Sequence, residues 1–242
     1  MELVDWLPLL LAPFIGSFLG VVVRRLPAGR PVAASRSACE SCGTVLGPAE
    51  LVPLLSHAVQ GGRCRHCGAG IDPFHWRVEL AATAVAAAAL WLDPGRAWAD
   101  CAFGWALLVL AWIDWDTGRL PDVLTLPLVP AGLVLAWMEA PEMATDHAVA
   151  AAAGFVLFRL VSLLYRRLRG RDGMGAGDAK LLAAIGAWTG LEALPSVVLG
   201  AAAAGLGWAL LLWMRGRPMT RTTSIPFGPC LALAGFALRL HS

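Results

Sequence analysis

Charge is what this sequence has least of: Asp, Glu, Lys and Arg make up only 15% of its 242 residues, against 58% hydrophobic residues. So little charge cannot cover an ordinary soluble surface, and the apolar residues gather in blocks too long for a soluble core. The formal net charge is only +2, so bulk electrostatics offers nucleic acid no footing, and the arginines matter through their positions. The first apolar block is expected to stay as a span and not to act as a removable secretory signal. Arg24 and Arg25 follow the first apolar block, Glu2 and Asp5 stand before it, and no small-residue cleavage pattern closes it. There is no internal repeat, no low-complexity linker and no glycine fingerprint of a Rossmann cofactor site after a predicted strand.

What is present is a series of apolar segments. A helix needs roughly 20 apolar residues to cross a bilayer, and eight segments reach or approach that length: about 3–23, 79–92, 98–113, 123–138, 148–165, 178–190, 195–214 and 226–240. The second and sixth are short. Pro127 and Pro130 are expected to kink the fourth, which neighbouring helices make tolerable, and alanine runs such as Ala86 to Ala89 suit close helix packing.

Basic residues in short loops stay on the cytoplasmic side, and this orients the chain with its N-terminus outside. The inner loops then hold Arg24, Arg25, Arg30, Arg36, Arg63, Arg65, Arg77, Arg119, Arg166, Arg167, Arg169, Arg171, Arg215, Arg217 and Arg221, while the outer ones keep only Arg96 and Arg239. Glu2, Asp5, Asp93, Asp100, Glu139, Glu142, Asp146 and Glu192 fall outside. The expected fold is an all-α polytopic membrane protein of about eight transmembrane helices. Residues 1–23 form the first helix, 24–78 a small cytoplasmic zinc-binding insert between helices 1 and 2, and 79–242 a seven-helix membrane domain.

The insert carries two C-x-x-C-G turns, Cys39/Cys42 with Gly43 and Cys64/Cys67 with Gly68. Two such turns can present four thiolates tetrahedrally, the geometry of a structural zinc site with no open coordination position. Redox pairs or disulfides are the competing reading, disfavoured in a reducing cytoplasm and in an insert with too little core to fold unaided. His57 and His66 could replace a cysteine as ligand, or lie on the surface. Cys101 and Cys230 stand in apolar surroundings and read as small buried hydrophobes.

Acidic residues near a membrane boundary are costly and point to function. Asp114 closes the third span and Asp178 opens the sixth, in Gly173-Met174-Gly175-Ala176-Gly177-Asp178, so this topology puts both at one cytoplasmic depth. As a pair they would share a proton, one carboxyl accepting from an attacking water and the other donating to the peptide carbonyl or leaving nitrogen. The plainer alternative is two solvated loop acids, and the spacing alone leaves both open. Glycines at 173, 175 and 177 would clear the approach to Asp178. Asp122 follows Pro121 and reads as a helix N-cap. Asp116 points to another helix face than Asp114 and could tune the pair or attract a basic substrate.

Taken together, these strings resemble the type IV prepilin leader peptidase and N-methyltransferase family. The residues that carry the resemblance are Gly16-Ser17-Phe18-Leu19, Arg25-Leu26-Pro27, the cysteine turns, Gly62-Arg63-Cys64, Val78-Glu79-Leu80, Ile113-Asp114, Leu120 through Pro127, and Gly175-Ala176-Gly177-Asp178-Ala179-Lys180-Leu181. The resemblance implies a GxGD-type aspartic endopeptidase of the bacterial inner membrane with catalytic Asp114 and Asp178, supported by Gly175, Gly177, Asp116 and Lys180. It implies zinc on Cys39, Cys42, Cys64 and Cys67. It also implies cleavage after a glycine between a basic leader and an apolar helix in type IV prepilin or pseudopilin precursors, then N-methylation of the new terminus from S-adenosylmethionine. Lipids are the surroundings, and nucleic acid is not a partner. The chain departs from the family at Gly20, where Asn is usual, and at Leu55-Ser56-His57, where an aromatic residue usually follows the serine. A peptidase without methyl transfer, a zinc-domain scaffold without enzymatic activity and a transporter are the alternatives. The transporter fits least, because only Arg159 is charged at mid-span.

Overall fold

The computed structural model describes residues 6–32, 37–39, 41–170, 175–216 and 226–241. Glu2, Asp5, Arg36, Arg171, Gly173, Met174, Arg217 and Arg221, all used in the sequence reading, lie outside the described residues. The protein is an all-α polytopic membrane protein: five helical stretches are long and apolar enough to cross a bilayer, and among the described residues the only β pairing is two isolated bridges. It divides into two compact units, Met1–Trp105 and Ala106–Ser242.

In the first unit, helix α1 (Leu7–Arg25) packs on α3 (Phe74–Leu92), with the short helix α2 (Leu55–Val59) in the insert between them. Ala82, Ala86 and Ala89 are fully buried on α3, and at Gly16 a Cβ would come within 2.6 Å of Glu79 Cα. Small residues therefore let the two backbones approach, as helices in lipid require. The helix begins at Phe74, earlier than the expected 79. His75 and Arg77 hide its first turn from an apolar pattern. The buried Glu79 carboxylate accepts from the Leu54 N–H at 2.8 Å, tying the insert to α3. Helix α4 (Ala97–Thr117) starts in this unit, and its Trp105 indole donates to the Ala82 carbonyl at 3.0 Å.

The second unit is a bundle around the leading half of α7 (Ala176–Met214), in which Leu181 to Gly190 is buried without a gap. A helix apolar on every side belongs at the centre. Helices α5 (Asp122–Glu139), α6 (Ala144–Arg169) and α8 (Gly228–Arg239) surround it. Each approaches through glycine: a Cβ at Gly132, Gly154 or Gly235 would meet Ala187 O at 2.8 Å, Leu182 O at 3.0 Å or Ile185 at 2.9 Å. Both prolines of α5 lie inside one helix.

Helix α7 breaks at Gly190, where φ is 77° and ψ 177°. On α8, Gly235 faces Ile185 and Arg239 reaches Trp188, whereas Ala234 faces Gly200 and Cys230 faces Gly205. The order of contacts runs with the leading half and against the trailing half, so the chain reverses at Gly190. The spans expected at 178–190 and 195–214 are these two antiparallel halves.

A break inside a membrane helix strands backbone groups that lipid cannot satisfy. Here side chains serve them. The Arg239 guanidinium donates to Trp188 O at 3.1 Å, His147 Nδ1 lies 3.0 Å from Ala187 O, and Asp146 Oδ2 accepts from the Leu191 N–H at 2.9 Å.

Candidate active site

Asp114 sits near the end of α4 and Asp178 in the first turn of α7, both buried. Asp178 Oδ2 accepts from the Gly175 N–H at 3.2 Å, so the carboxylate folds back on the start of its own helix, where N–H groups lack intrahelical partners. Asp114 Oδ2 accepts from the N–H of Gly228, the first residue of α8, at 3.0 Å. The two carboxylates are close enough for their charges to act on each other.

Two further contacts fix the meeting of α7 with the α4–α5 turn. Gly177 touches Leu120, where a Cβ would come within 2.9 Å, and Lys180 Nζ donates to Asp122 at 2.6 and 2.7 Å. Gly177 thus admits Leu120, a closer packing role than the cleared approach expected from sequence. Asp122 corrects another expectation. It is the first residue of α5, with Pro121 at the cap position and no side-chain cap bond, and its carboxylate is held by Lys180. Asp116 is exposed.

Gly228 is the residue sequence reasoning missed. A Cβ there would lie 2.6 Å from Asp114 Oδ2, so any side chain would displace the carboxylate. The only signal was a glycine at the start of a predicted span, and that is common.

In the first unit the cysteine turns are near copies. Cys39 N–H donates to Thr44 O and Gly43 N–H to Cys39 O, each at 2.9 Å, and Cys64, Ala69 and Gly68 repeat this. Gly43 and Gly68 have φ of 72° and 70°, a region where glycine carries no steric cost. The four sulfurs lie within 4.8 Å of one another, with Cys39 and Cys67 3.9 Å apart. Four thiolates about 2.3 Å from a zinc ion stand about 3.8 Å apart in a tetrahedron, so these residues fit the metal. The Thr44 hydroxyl, 3.3 Å from Cys42 Sγ, and the Thr44 N–H hold the Cys42 thiol down at about 6, while desolvation and the neighbouring thiols push Cys67 up to about 11. His57 instead stacks on Trp76, and no histidine joins the described cluster. Cys101 is buried and Cys230 half-buried. At Gly20 a Cβ would meet the His75 ring at 2.5 Å, so the missing Asn makes room for that imidazole.

Residues 101–210 match the model of the type IV leader peptidase family, and residues 10–92 that of the bacterial peptidase A24 N-terminal domain. The prepilin leader peptidase/N-methyltransferase of Burkholderia pseudomallei strain 1026b is 43% identical over 92% of this chain and 81% of its own length. The chain belongs to the type IV leader peptidase family. Proteins of the same name from Dickeya chrysanthemi and Pseudomonas aeruginosa are 37% and 35% identical, each over 94% of this chain and over 89% and 87% of their own lengths. No solved structure matches significantly. Within the peptidase family's matched region lie Asp114, Gly175, Gly177, Asp178 and Lys180, and within the N-terminal domain's lie all four clustered cysteines. Gly228 and the rest of α8 lie beyond both.

Purified protein is expected to carry about one zinc per chain. Replacing Cys39 or Cys64 with Ser should abolish that stoichiometry and expose the insert to limited proteolysis, because metal binding supplies much of a small domain's folding free energy. Metal analysis with proteolytic mapping checks both; a metal-free wild type with paired, oxidised thiols would favour the redox reading.

Proposed function

We propose that this protein is an aspartic endopeptidase of the bacterial inner membrane that removes the basic leader of type IV prepilin-like precursors after a glycine, then methylates the new N-terminus. The reading rests on one observation above the others: two buried carboxylates, Asp114 and Asp178, each accept from a backbone donor at a helix start and are near enough for their charges to interact. Membership of the family supplies the reaction class, and the relatives' name states both leader cleavage and methyl transfer of those proteins.

In this reading one carboxylate takes a proton from the water that attacks the scissile carbonyl, and the other, protonated, donates to the carbonyl oxygen and then to the leaving nitrogen. The Gly175 and Gly228 N–H groups orient the two acids. Lys180 holds Asp122 and keeps the α7 start against the turn after α4. The arginine distribution supports a cytoplasmic side for the dyad and the insert, residues 24–78, with residues 79–242 as the peptidase domain.

Zinc on Cys39, Cys42, Cys64 and Cys67 would fix the insert, because four cysteines leave no coordination position for substrate. S-adenosylmethionine would supply the methyl group. No described cluster of side chains marks its place, so no step is assigned to this chain's residues for it.

Cleavage needs only water and two acids, whereas methyl transfer needs an amine aligned with a bound donor. The two activities are therefore expected to separate. Incubation with a prepilin-type precursor and labelled S-adenosylmethionine, read by mass spectrometry of the mature N-terminus, should give cleaved, methylated product from wild type. A Cys39→Ser protein should lose more methylation than cleavage. Cleaved but unmethylated wild-type product would leave a peptidase alone, and an uncut precursor would refute the function.

A further inference from the structure

Helix α8 touches the candidate site at one end and the far end of α7's leading half at the other. Its first N–H, from Gly228, is bonded to Asp114, and its last side chain, Arg239, donates to the Trp188 carbonyl two residues before the break at Gly190. From Asp178 to Trp188 is ten residues and from Gly228 to Arg239 eleven, about 15 and 16.5 Å of helix at 1.5 Å per residue. The two segments run parallel and are nearly equal in length, and midway Gly235 lies against Ile185.

We infer that α8 is a strut that sets the axial position of Asp178 relative to Asp114, and that Arg239 is a positioning residue for the reaction although it stands a helix length away from both carboxylates.

The physical case is that the leading half of α7 is not continued by a straight helix at its far end, because the chain reverses at Gly190. Axial sliding or rotation there would carry Asp178 with it. The Trp188 carbonyl, released from its own helix by the break, supplies the anchor point. Arg239 is 3% exposed, and besides Trp188 it lies 3.6 Å from Glu139 at the end of α5, so the anchor is itself pinned to a third helix. A guanidinium suits this task, since its planar fork donates to Trp188 O from Nη1 while Nη2 faces the Glu139 carboxylate. Asp146 and His147 serve the other groups at the break. Asp146 holds the Leu191 N–H of the trailing half, His147 the Ala187 carbonyl of the leading half, and the Trp188 indole donates to Leu128 O on α5 at 2.8 Å, so α5 and α6 hold the leading half in the bundle while α8 ties it directly to Asp114.

This rests on Asp114 and Asp178 being the reacting pair, and the test keeps the two apart. Full-length Arg239→Gln and Arg239→Lys are compared with wild type in proteoliposomes. The readouts are kcat and KM for a prepilin-type precursor, the midpoint of thermal unfolding, and the rate at which N-ethylmaleimide labels Cys230, located by peptide mass spectrometry.

Cys230 lies in the first turn of α8, half-buried against the trailing half of α7 near Gly205, so its labelling reports movement of the strut independently of activity. Arg239→Gln should lower kcat about 10- to 100-fold, the scale of an ångström-level misplacement, with KM within about twofold and Cys230 labelled several-fold faster. Arg239→Lys should recover most of both losses. Unchanged kcat per folded molecule in Arg239→Gln overturns the inference, and so does unchanged Cys230 labelling. If Arg239→Gln does not fold, the same readouts on Arg239→Lys decide, with an intermediate loss of kcat and faster labelling expected and wild-type values contradicting. Turnover by Asp178→Asn would instead sink the dyad and leave the labelling result standing.

Discussion

Asp114→Asn and Asp178→Asn each lower leader cleavage by at least about 10³-fold while the protein remains inserted and folded, because general acid–base catalysis by a pair fails when either partner cannot exchange a proton. The amide nearly preserves the shape of the carboxyl group, and in Asp114→Asn the side-chain oxygen can still accept from the Gly228 N–H as Asp114 does, so folding is spared. The double variant should be no worse than either single one, since residues that act as a unit are not additive. Asp116→Asn should lose only a few-fold, in keeping with its exposure. Initial rates on a prepilin-type precursor, normalised to folded protein in the membrane, check all four.

Gly228→Ala is the second large effect. The added methyl group would stand 2.6 Å from Asp114 Oδ2 and 2.9 Å from its Cγ, inside van der Waals contact. Either the carboxylate rotates away from Asp178 or the start of α8 moves out, and a displacement of that size costs about 10²-fold in rate. The N–H donor survives the substitution, so the loss is geometric. KM should change little, and Gly16→Ala is the control. It clashes with α3 at Glu79 Cα instead, in the first unit, and should cost stability before activity. Equal rates for Gly228→Ala and wild type would show that the contact does not hold Asp114.

The apolar blocks were legible by length and composition: five helical stretches are long and apolar enough to cross a bilayer, and the reversal at Gly190 divides α7 as the segments expected at 178–190 and 195–214 do. Even the break between 178–190 and 195–214 could be read from their separation, although the sequence does not say that one glycine turns the chain there. Three features were not legible. The first turn of α3 carries His75 and Arg77, so its apolar pattern begins late. Asp122 follows a proline at a helix start and looks like a cap, but its partner Lys180 is 58 residues away, and no local rule supplies that distance. The roles of Gly228 and Arg239 come from α8 packing beside α7, a tertiary fact that leaves only an ordinary glycine and an ordinary arginine in the sequence. The cysteine turns sit at the other extreme: residue type, spacing and the following glycines specify them locally.

The central claim is that water activated between Asp114 and Asp178 cuts the leader from its precursor, and a single turnover in ¹⁸O-labelled water tests it most directly. Wild-type protein in excess over a prepilin-type precursor is quenched after one cut, and the leader and the enzyme's own peptides are analysed by mass spectrometry. Direct attack by water puts one ¹⁸O atom in the new C-terminal carboxylate of the leader, at the glycine, and none in the peptides that carry Asp114 and Asp178. Label in either aspartate, or a cut elsewhere in the precursor, would contradict the account.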